Sequence, residues 1–133
     1  MSRDQTRTQM MNLKAAFEAE HARRDAERRA REEAELQRQA EDLARAEALE
    51  AALAEDPAFL ASKGLELSRR RYTVSLDHAD YRIAAYFEDG QCSVTAADKR
   101  TATSSAAPRK QQFVESVEDA LLVMAQFLAD ETR

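Results

Sequence analysis

Three polar residues in one short segment have the side-chain types of a metal site. Asp77, His78 and Asp80 place two carboxylates and an imidazole side by side, and such groups bind divalent metals in many proteins. Their spacing matches no established metal-binding loop, and the second histidine, His21, lies far away in the sequence. Aspartate is also frequent in turns, because its side chain bonds to nearby backbone. The pattern favours a turn, and we expect neither a metal nor any other cofactor.

Cys92 is the only cysteine in the chain, so an intramolecular disulfide and a thiolate metal cluster are both excluded. The alternation around Cys92 directs it towards a core, where a thiol packs as a small hydrophobic group. A reactive cysteine needs an exposed thiolate. The chain has only two glycines and none of the hydrolase, phosphate-binding or zinc-protease motifs. The sequence therefore predicts a protein that is not an enzyme.

Basic residues form three short clusters that could contact phosphates or an acidic partner. A meander could gather the three clusters towards one edge of the sheet, with Tyr86 on the polar face nearby. The total charge argues the other way, because 25 acidic residues outnumber 20 basic ones and the net charge is −5. Nucleic-acid binding is therefore the alternative hypothesis. Its candidate contacts are Arg69, Arg70, Arg71, Lys99, Arg100, Arg109, Lys110 and Tyr86.

The elements that must position these residues begin with a β-meander. Apolar and polar residues alternate through three segments between residues 72 and 97, which is the period of half-buried strands. Asp89 and Gly90 form the dipeptide of a type I′ hairpin turn, and a four-residue loop at residues 77–80 would join Leu76 to Tyr81. This register puts the large apolar side chains on one face of the sheet.

Two further segments complete the predicted C-terminal domain. Residues 65–69 suit a connector or a strand, and residues 100–106 suit a short edge strand or a loop. Phe113 and Val114 lead into a final helix, for which Ser116 and Asp119 have capping-box spacing. Its apolar face would cover the meander and consists of Val117, Ala120, Leu121, Met124, Phe127 and Leu128. The fold class is therefore α+β, a meander of three or four antiparallel strands covered by one helix.

A long charged helix precedes this domain. Residues 12–54 contain no glycine or proline and are rich in alanine, arginine and glutamate, which are strong helix formers. Ser2 and Gln5 also have capping-box spacing, so the helix could begin as early as Arg3. We expect a helical arm over residues 1–56, a possible coiled coil, and the α+β domain over residues 57–133.

Two apolar stripes on this helix are candidate binding surfaces. Met10, Leu13 and Phe17 share one side of a helix and could dock in a groove of another protein. The second stripe could pack on the chain's own domain or on a second copy, which would make a homodimer. Its residues are Leu36, Ala40, Leu43, Ala46 and Leu53.

These patterns favour a non-enzymatic interaction or adaptor protein. It would self-associate as a homodimer through its long helix and present its α+β domain to another protein. No apolar leader segment and no run of 18 apolar residues occurs in the sequence, so we expect a cytoplasmic protein without membrane association. The alternative is a small nucleic-acid-binding or regulatory protein that uses the basic residues.

Overall fold

The structure, a computed structural model, describes residues 12–100 and 110–132. Within them lie three helices and five strands. They are α1 Leu13–Leu53, α2 Pro57–Ser62, β1 Glu66–Arg70, β2 Thr73–Asp77, β3 Tyr81–Glu88, β4 Gln91–Asp98, β5 Lys110–Val114 and α3 Val117–Glu131. The predicted α+β class, with its long first helix, antiparallel meander and covering last helix, is confirmed.

The chain divides into two compact units, Met1–Gln37 and Arg38–Arg133. We call the described residues of the second unit the core unit. It contains the last turns of α1 together with α2, the sheet and α3. In the first unit, the Asn12 side chain caps α1 by accepting a hydrogen bond of 2.8 Å from the Ala15 amide. The predicted start at Arg3, with its Ser2 and Gln5 capping box, lies outside the described residues.

The five strands form one antiparallel sheet in the order β1-β2-β3-β4-β5. The hairpin between β3 and β4 has the predicted register, with Glu88 opposite Gln91. Asp89 has φ 51° and Gly90 has φ 79°, and a type I′ turn requires positive φ at both positions. The register predicted from the Asp89 and Gly90 dipeptide is therefore confirmed.

The predicted register between β2 and β3 is wrong by two residues. Leu76 lies opposite Ile83, whereas the predicted four-residue loop would have placed Leu76 opposite Tyr81. Residues 78–80 connect the two strands, and a 2.9 Å hydrogen bond from the His78 amide to the Tyr81 carbonyl closes the loop. A slip of two positions leaves every side chain on the same face, so hydrophobic alternation could not detect the error.

The sheet has two more strands than the three clearly alternating segments. Residues 65–69, left open between connector and strand, overlap β1, and β5 pairs with β4 on the other side. Arg100 is in a bend, and residues 101–106 of the predicted fourth strand are outside the described part of the chain. The sequence of β5, KQQFV, has neither alternation nor many β-branched residues, which explains why it was missed.

The core lies between one face of the sheet and the helices. From α3 the buried residues are Ala120, Val123, Met124, Phe127 and Leu128. The prediction of Leu121 as a core residue is wrong, because 37% of it is exposed, and Val123 takes its place. Val117 packs at the margin of the core, as predicted. The N-cap prediction is confirmed by a 3.0 Å hydrogen bond from the Asp119 amide to the Ser116 hydroxyl.

The long helix supplies part of the same core. Ala46 and Leu49 are fully buried, and Leu53 packs against the cluster. With Asp42 they follow the i, i+4, i+7, i+11 spacing of one helix face. After Leu53 the chain enters α2, where Asp56 accepts a 3.0 Å hydrogen bond from the Phe59 amide, as expected for an N-cap followed by proline.

Asp42 is the one buried charged residue among those described, with 5% of its surface exposed. Its carboxylate accepts hydrogen bonds from the amides of Asp89, at 2.8 Å, and Gly90, at 3.0 Å. The Arg45 guanidinium donates a third, at 2.7 Å. Burial raises the pKa of the Asp42 carboxyl, but these three donors outweigh burial, and its pKa is lowered below 3.8.

We expect Asp42→Ala to lower the free energy of unfolding by about 2 kcal/mol, since hydrogen bonds to a charged group contribute about 1.5–3 kcal/mol each and water replaces part of them. Urea unfolding followed by circular dichroism measures this change. Glu47→Ala is the matched control, because Glu47 is an exposed carboxylate on the same helix. Equal midpoints for the two variants would contradict the role of Asp42.

The lowered pKa of Asp42 gives the same experiment a pH dependence. A carboxyl group with a lower pKa in the folded state stabilises the fold above its unfolded pKa, about 3.9, and loses this contribution as the pH falls through its folded value. The difference in the free energy of unfolding between the natural protein and Asp42→Asn should therefore have its full value near pH 6. It should narrow below about pH 4.

Candidate interaction surfaces

One face of the sheet lies opposite the core, and we call it the open face. The helices of the core unit contribute their buried residues to the other face, and none of the described residues of that unit forms a layer over the open one. Small side chains fill its middle, and charged, amide and aromatic side chains surround them. By register the residues of this face are Glu66, Ser68, Arg70, Thr73, Ser75, Asp77, Arg82, Ala84, Tyr86, Glu88, Gln91, Ser93, Thr95, Ala97, Gln111 and Phe113.

Two aromatic side chains stand out on this face. Tyr86 is 40% exposed and Phe113 is 68% exposed. Both lie beside Ser93, one on each neighbouring strand. They line a cleft of about 240 Å³ together with Glu88, Asp89, Gln91 and Ser93. Alternation along β3 placed Tyr86 on the polar face, but no sequence pattern pointed to Phe113. Its position beside Ser93 follows only once residues 110–114 are recognised as a strand that pairs with β4.

The first basic cluster is split between the two faces. Arg69 lies on the core face and donates a 2.7 Å hydrogen bond to Glu50 of α1. Arg70 is on the open face of β1. Arg71 has φ 55° in the turn that follows, and its guanidinium carbon lies 5.8 Å from the centre of the Tyr72 ring. The three arginines therefore do not form one basic patch.

The second and third clusters are paired with carboxylates. Lys99 contacts Asp77 at 2.9 Å, Arg100 contacts Glu131 at 2.7 Å, and Lys110 contacts Asp130 at 2.6 Å. The Lys110 ammonium also lies 5.5 Å from the centre of the Phe127 ring. Arg109 is outside the described residues.

The strand directions separate these clusters. Arg70 and Arg71 lie at the end of the sheet that holds the β3–β4 turn, because β1 and β3 run in the same direction. Lys99 follows β4 and Lys110 begins β5, which places both at the opposite end. The sequence suggested that the basic clusters gather at one edge of the sheet. The structure instead places them at opposite ends.

The candidate metal loop is held by hydrogen bonds within the protein. Asp77 accepts from Arg82 at 2.6 Å and from Lys99 at 2.9 Å. Burial raises the pKa of Asp77, but these two cations outweigh it and lower the pKa. The Asp80 amide donates to His78 Nδ1 at 3.0 Å, as in a turn. Across residues 12–100 and 110–132, no three metal-binding side chains come together.

The apolar stripes of α1 have different surroundings. Leu13 is 85% exposed and Phe17 is 63% exposed, while Met10 lies outside the described residues. In the second stripe, Leu36 is 65% exposed, Ala40 is exposed and Leu43 is half-buried. Ala46 and Leu53 belong to or pack against the chain's own core. The sequence left open whether this stripe packs on the chain's own domain or on a second copy. Ala46 and Leu53 pack on the chain's own domain.

Ion pairs occupy the charged part of α1. Glu20 binds Arg23 and also Arg24, the latter at 2.8 Å. Arg28 contacts Asp25 at 2.5 Å and Glu32 at 3.2 Å. Hydrogen bonds from the two arginines lower the pKa of Glu20 to about 2. Exposed pairs at this spacing stabilise a helix modestly, by about 0.2–0.5 kcal/mol each.

An apolar groove lies within the core unit, at the end of α1. Its volume is about 500 Å³. The residues that line it come from the end of α1, from α2, from α3 and from the sheet side of the core, and they include Leu53, Phe59, Leu60, Leu76, Leu121 and Leu128. No sequence pattern predicts this groove, because its walls come from segments that are distant in the chain.

Cys92 points into the core beside Phe87 and is 2% exposed. Burial raises the pKa of its thiol to about 11, so the thiolate fraction at neutral pH is very small. This environment is that of a packing residue.

Cys92 should therefore resist thiol reagents in the folded protein. We expect 5,5′-dithiobis(2-nitrobenzoic acid) at pH 8 to react with Cys92 at least about 100-fold more slowly than with free cysteine, because both exposure and ionisation are low. In 8 M urea the rate should approach that of the free thiol. Rapid reaction of the folded protein would disprove this burial.

A comparison with models of protein families, with curated proteins and with solved structures finds no match to this chain. Among the helices that the structure describes, none has a stretch both long and apolar enough to cross a bilayer. A function for this chain therefore rests on the surfaces described above.

Proposed function

We propose that this protein is a non-enzymatic interaction protein whose open face binds a protein partner. The observation that carries the proposal is a five-stranded sheet on which the described helices of the core unit pack from one side only. The other side presents small side chains around the exposed rings of Tyr86 and Phe113.

The composition of the open face suits contact with another protein. Serine, threonine and alanine fill its middle, at Ser75, Ala84 and Thr95, which form one row across three strands. Short side chains lose little conformational entropy on binding and let a partner approach closely. Tyrosine is enriched among the residues that dominate binding energy at interfaces. Tyr86 lies beside this row of small residues and is exposed to a partner.

We include self-association through α1 in the proposal. Leu36 is a large apolar side chain exposed on this helix, and Leu43, one heptad later on the same stripe, is half-buried. A helix of polar, ion-paired surface gains most of its stability from burial of such residues. A second copy would bury them in a homodimer, the commonest closed assembly.

A charge placed in the middle of the open face should abolish partner binding. We expect Thr95→Arg to lose, in cross-linking capture from the cells that express the protein, a partner that the natural protein retains. Its physical reason is that an interface must desolvate the new guanidinium without an acid opposite it. Gln126→Arg is the matched control, because Gln126 is exposed on α3.

Two results would count against this proposal. Equal capture by Thr95→Arg and the natural protein would exclude the open face as the binding surface. Recovery of nucleic acid instead of protein, weakened by added salt and by Arg70→Gln, would favour the alternative of a nucleic-acid-binding protein.

Self-association predicts a mass that depends on concentration and on the apolar residues of α1. Light scattering should give the mass of a dimer at high protein concentration, and Leu36→Gln combined with Leu43→Gln should shift it towards the 15.0 kDa monomer. Ala22→Gln in the charged part of the helix should leave the mass unchanged. A monomer at all concentrations would remove this part of the proposal.

A further inference from the structure

We infer that Tyr86 and Phe113 take the guanidinium group of an arginine side chain that the partner presents. This inference rests on the proposed role of the open face in binding a protein. It names the chemistry recognised at one place on that face, the cleft between the two rings.

The spacing of the rings suits a cation between them. Tyr86 and Phe113 each lie opposite Ser93 on β4. Neighbouring strands are about 4.8 Å apart, so the two aromatic residues stand about 9.6 Å apart across the small serine. A group above Ser93 is then within the distance of about 6 Å at which a ring attracts a cation. The cleft has a volume of about 240 Å³, large enough for a side-chain head group.

The charges around the cleft select a cation. Glu88 and Asp89 line it with the two rings, and Glu115 lines an adjoining cleft that shares Phe113. Glu88 is exposed and forms no ion pair with any residue in the described part of the chain. Asp89 contacts Arg38 at 3.6 Å. Arg70, the cation of the same row, lies beyond Tyr86 on the side away from the cleft.

Arginine fits this combination better than lysine. Its guanidinium is flat, stacks on aromatic rings and is more weakly hydrated than an ammonium group. It can also form two parallel hydrogen bonds with one carboxylate. Between two rings, with Glu88 at the rim, an arginine head could use both its faces and its edge.

The test uses three synthetic peptides and the full-length protein. The probe is a glycine peptide with three arginines, and its controls carry lysine or citrulline at the same positions. Citrulline keeps the planar shape of arginine but has no charge. Titration followed by the amide resonances of Glu88, Ser93 and Phe113 gives both the location and the Kd. The arginine peptide should shift these resonances, and the citrulline peptide should bind at least about 5-fold more weakly.

Variants of the cleft complete the test. Phe113→Leu and Glu88→Gln should each raise the Kd for the arginine peptide about 2- to 5-fold, because exposed cation–π and ion pairs have this strength. Phe59→Leu is the matched control, since Phe59 is 44% exposed elsewhere in the core unit. It should leave the Kd unchanged.

The outcomes separate this inference from the proposal on which it rests. Equal binding of the arginine and citrulline peptides, or of the arginine and lysine peptides, overturns it, and so does an equal effect of Phe113→Leu and Phe59→Leu. If Thr95→Arg loses the partner while these peptides show no preference, the open face still binds a protein but not through arginine. If Thr95→Arg keeps the partner, the proposed function itself is wrong.

Discussion

The carboxylate of Asp42 holds α1 to the β3–β4 turn by accepting hydrogen bonds from two consecutive backbone amides. The β3–β4 turn has positive φ at both Asp89 and Gly90, and both amides point to Asp42. A buried carboxylate is costly without partners, so this contact specifies one position of the helix along the hairpin. Once Asp42 is fixed, Ala46 and Leu49 lie over the core by helical periodicity alone.

Local sequence predicted the parts of the fold that local physics determines. The Asp89 and Gly90 dipeptide gave the correct β3–β4 register, and the Ser116 cap gave the start of α3. The β2–β3 loop was misplaced, because sheet alternation has period two and tolerates a slip of two residues. Strand β5 was missed because its residues, KQQFV, acquire strand geometry through pairing with β4.

The candidate surfaces were less predictable, since they depend on contacts between distant segments. Tyr86 was placed correctly on the open face by alternation, but its neighbour Phe113 comes from a strand the alternation did not reveal. The basic clusters looked free in the sequence. In the structure Arg69 pairs with Glu50 and Arg100 with Glu131, and strand direction separates them further. Asp42 gave no signal either, because a single aspartate in a highly charged helix is unexceptional.

Asp89 takes part in two structures at once. Its amide is bonded to Asp42 of the long helix, and its side chain lines the cleft beside Tyr86 while contacting Arg38. A ligand that draws this carboxylate towards the cleft therefore acts on the turn that anchors the helix. Linkage between two sites is reciprocal. If releasing Asp42 from the turn changed the affinity of the cleft for a ligand, binding of that ligand would change the strength of the Asp42 contact by the same free energy. The contact with Asp42 and one wall of the cleft thus depend on the same two-residue turn.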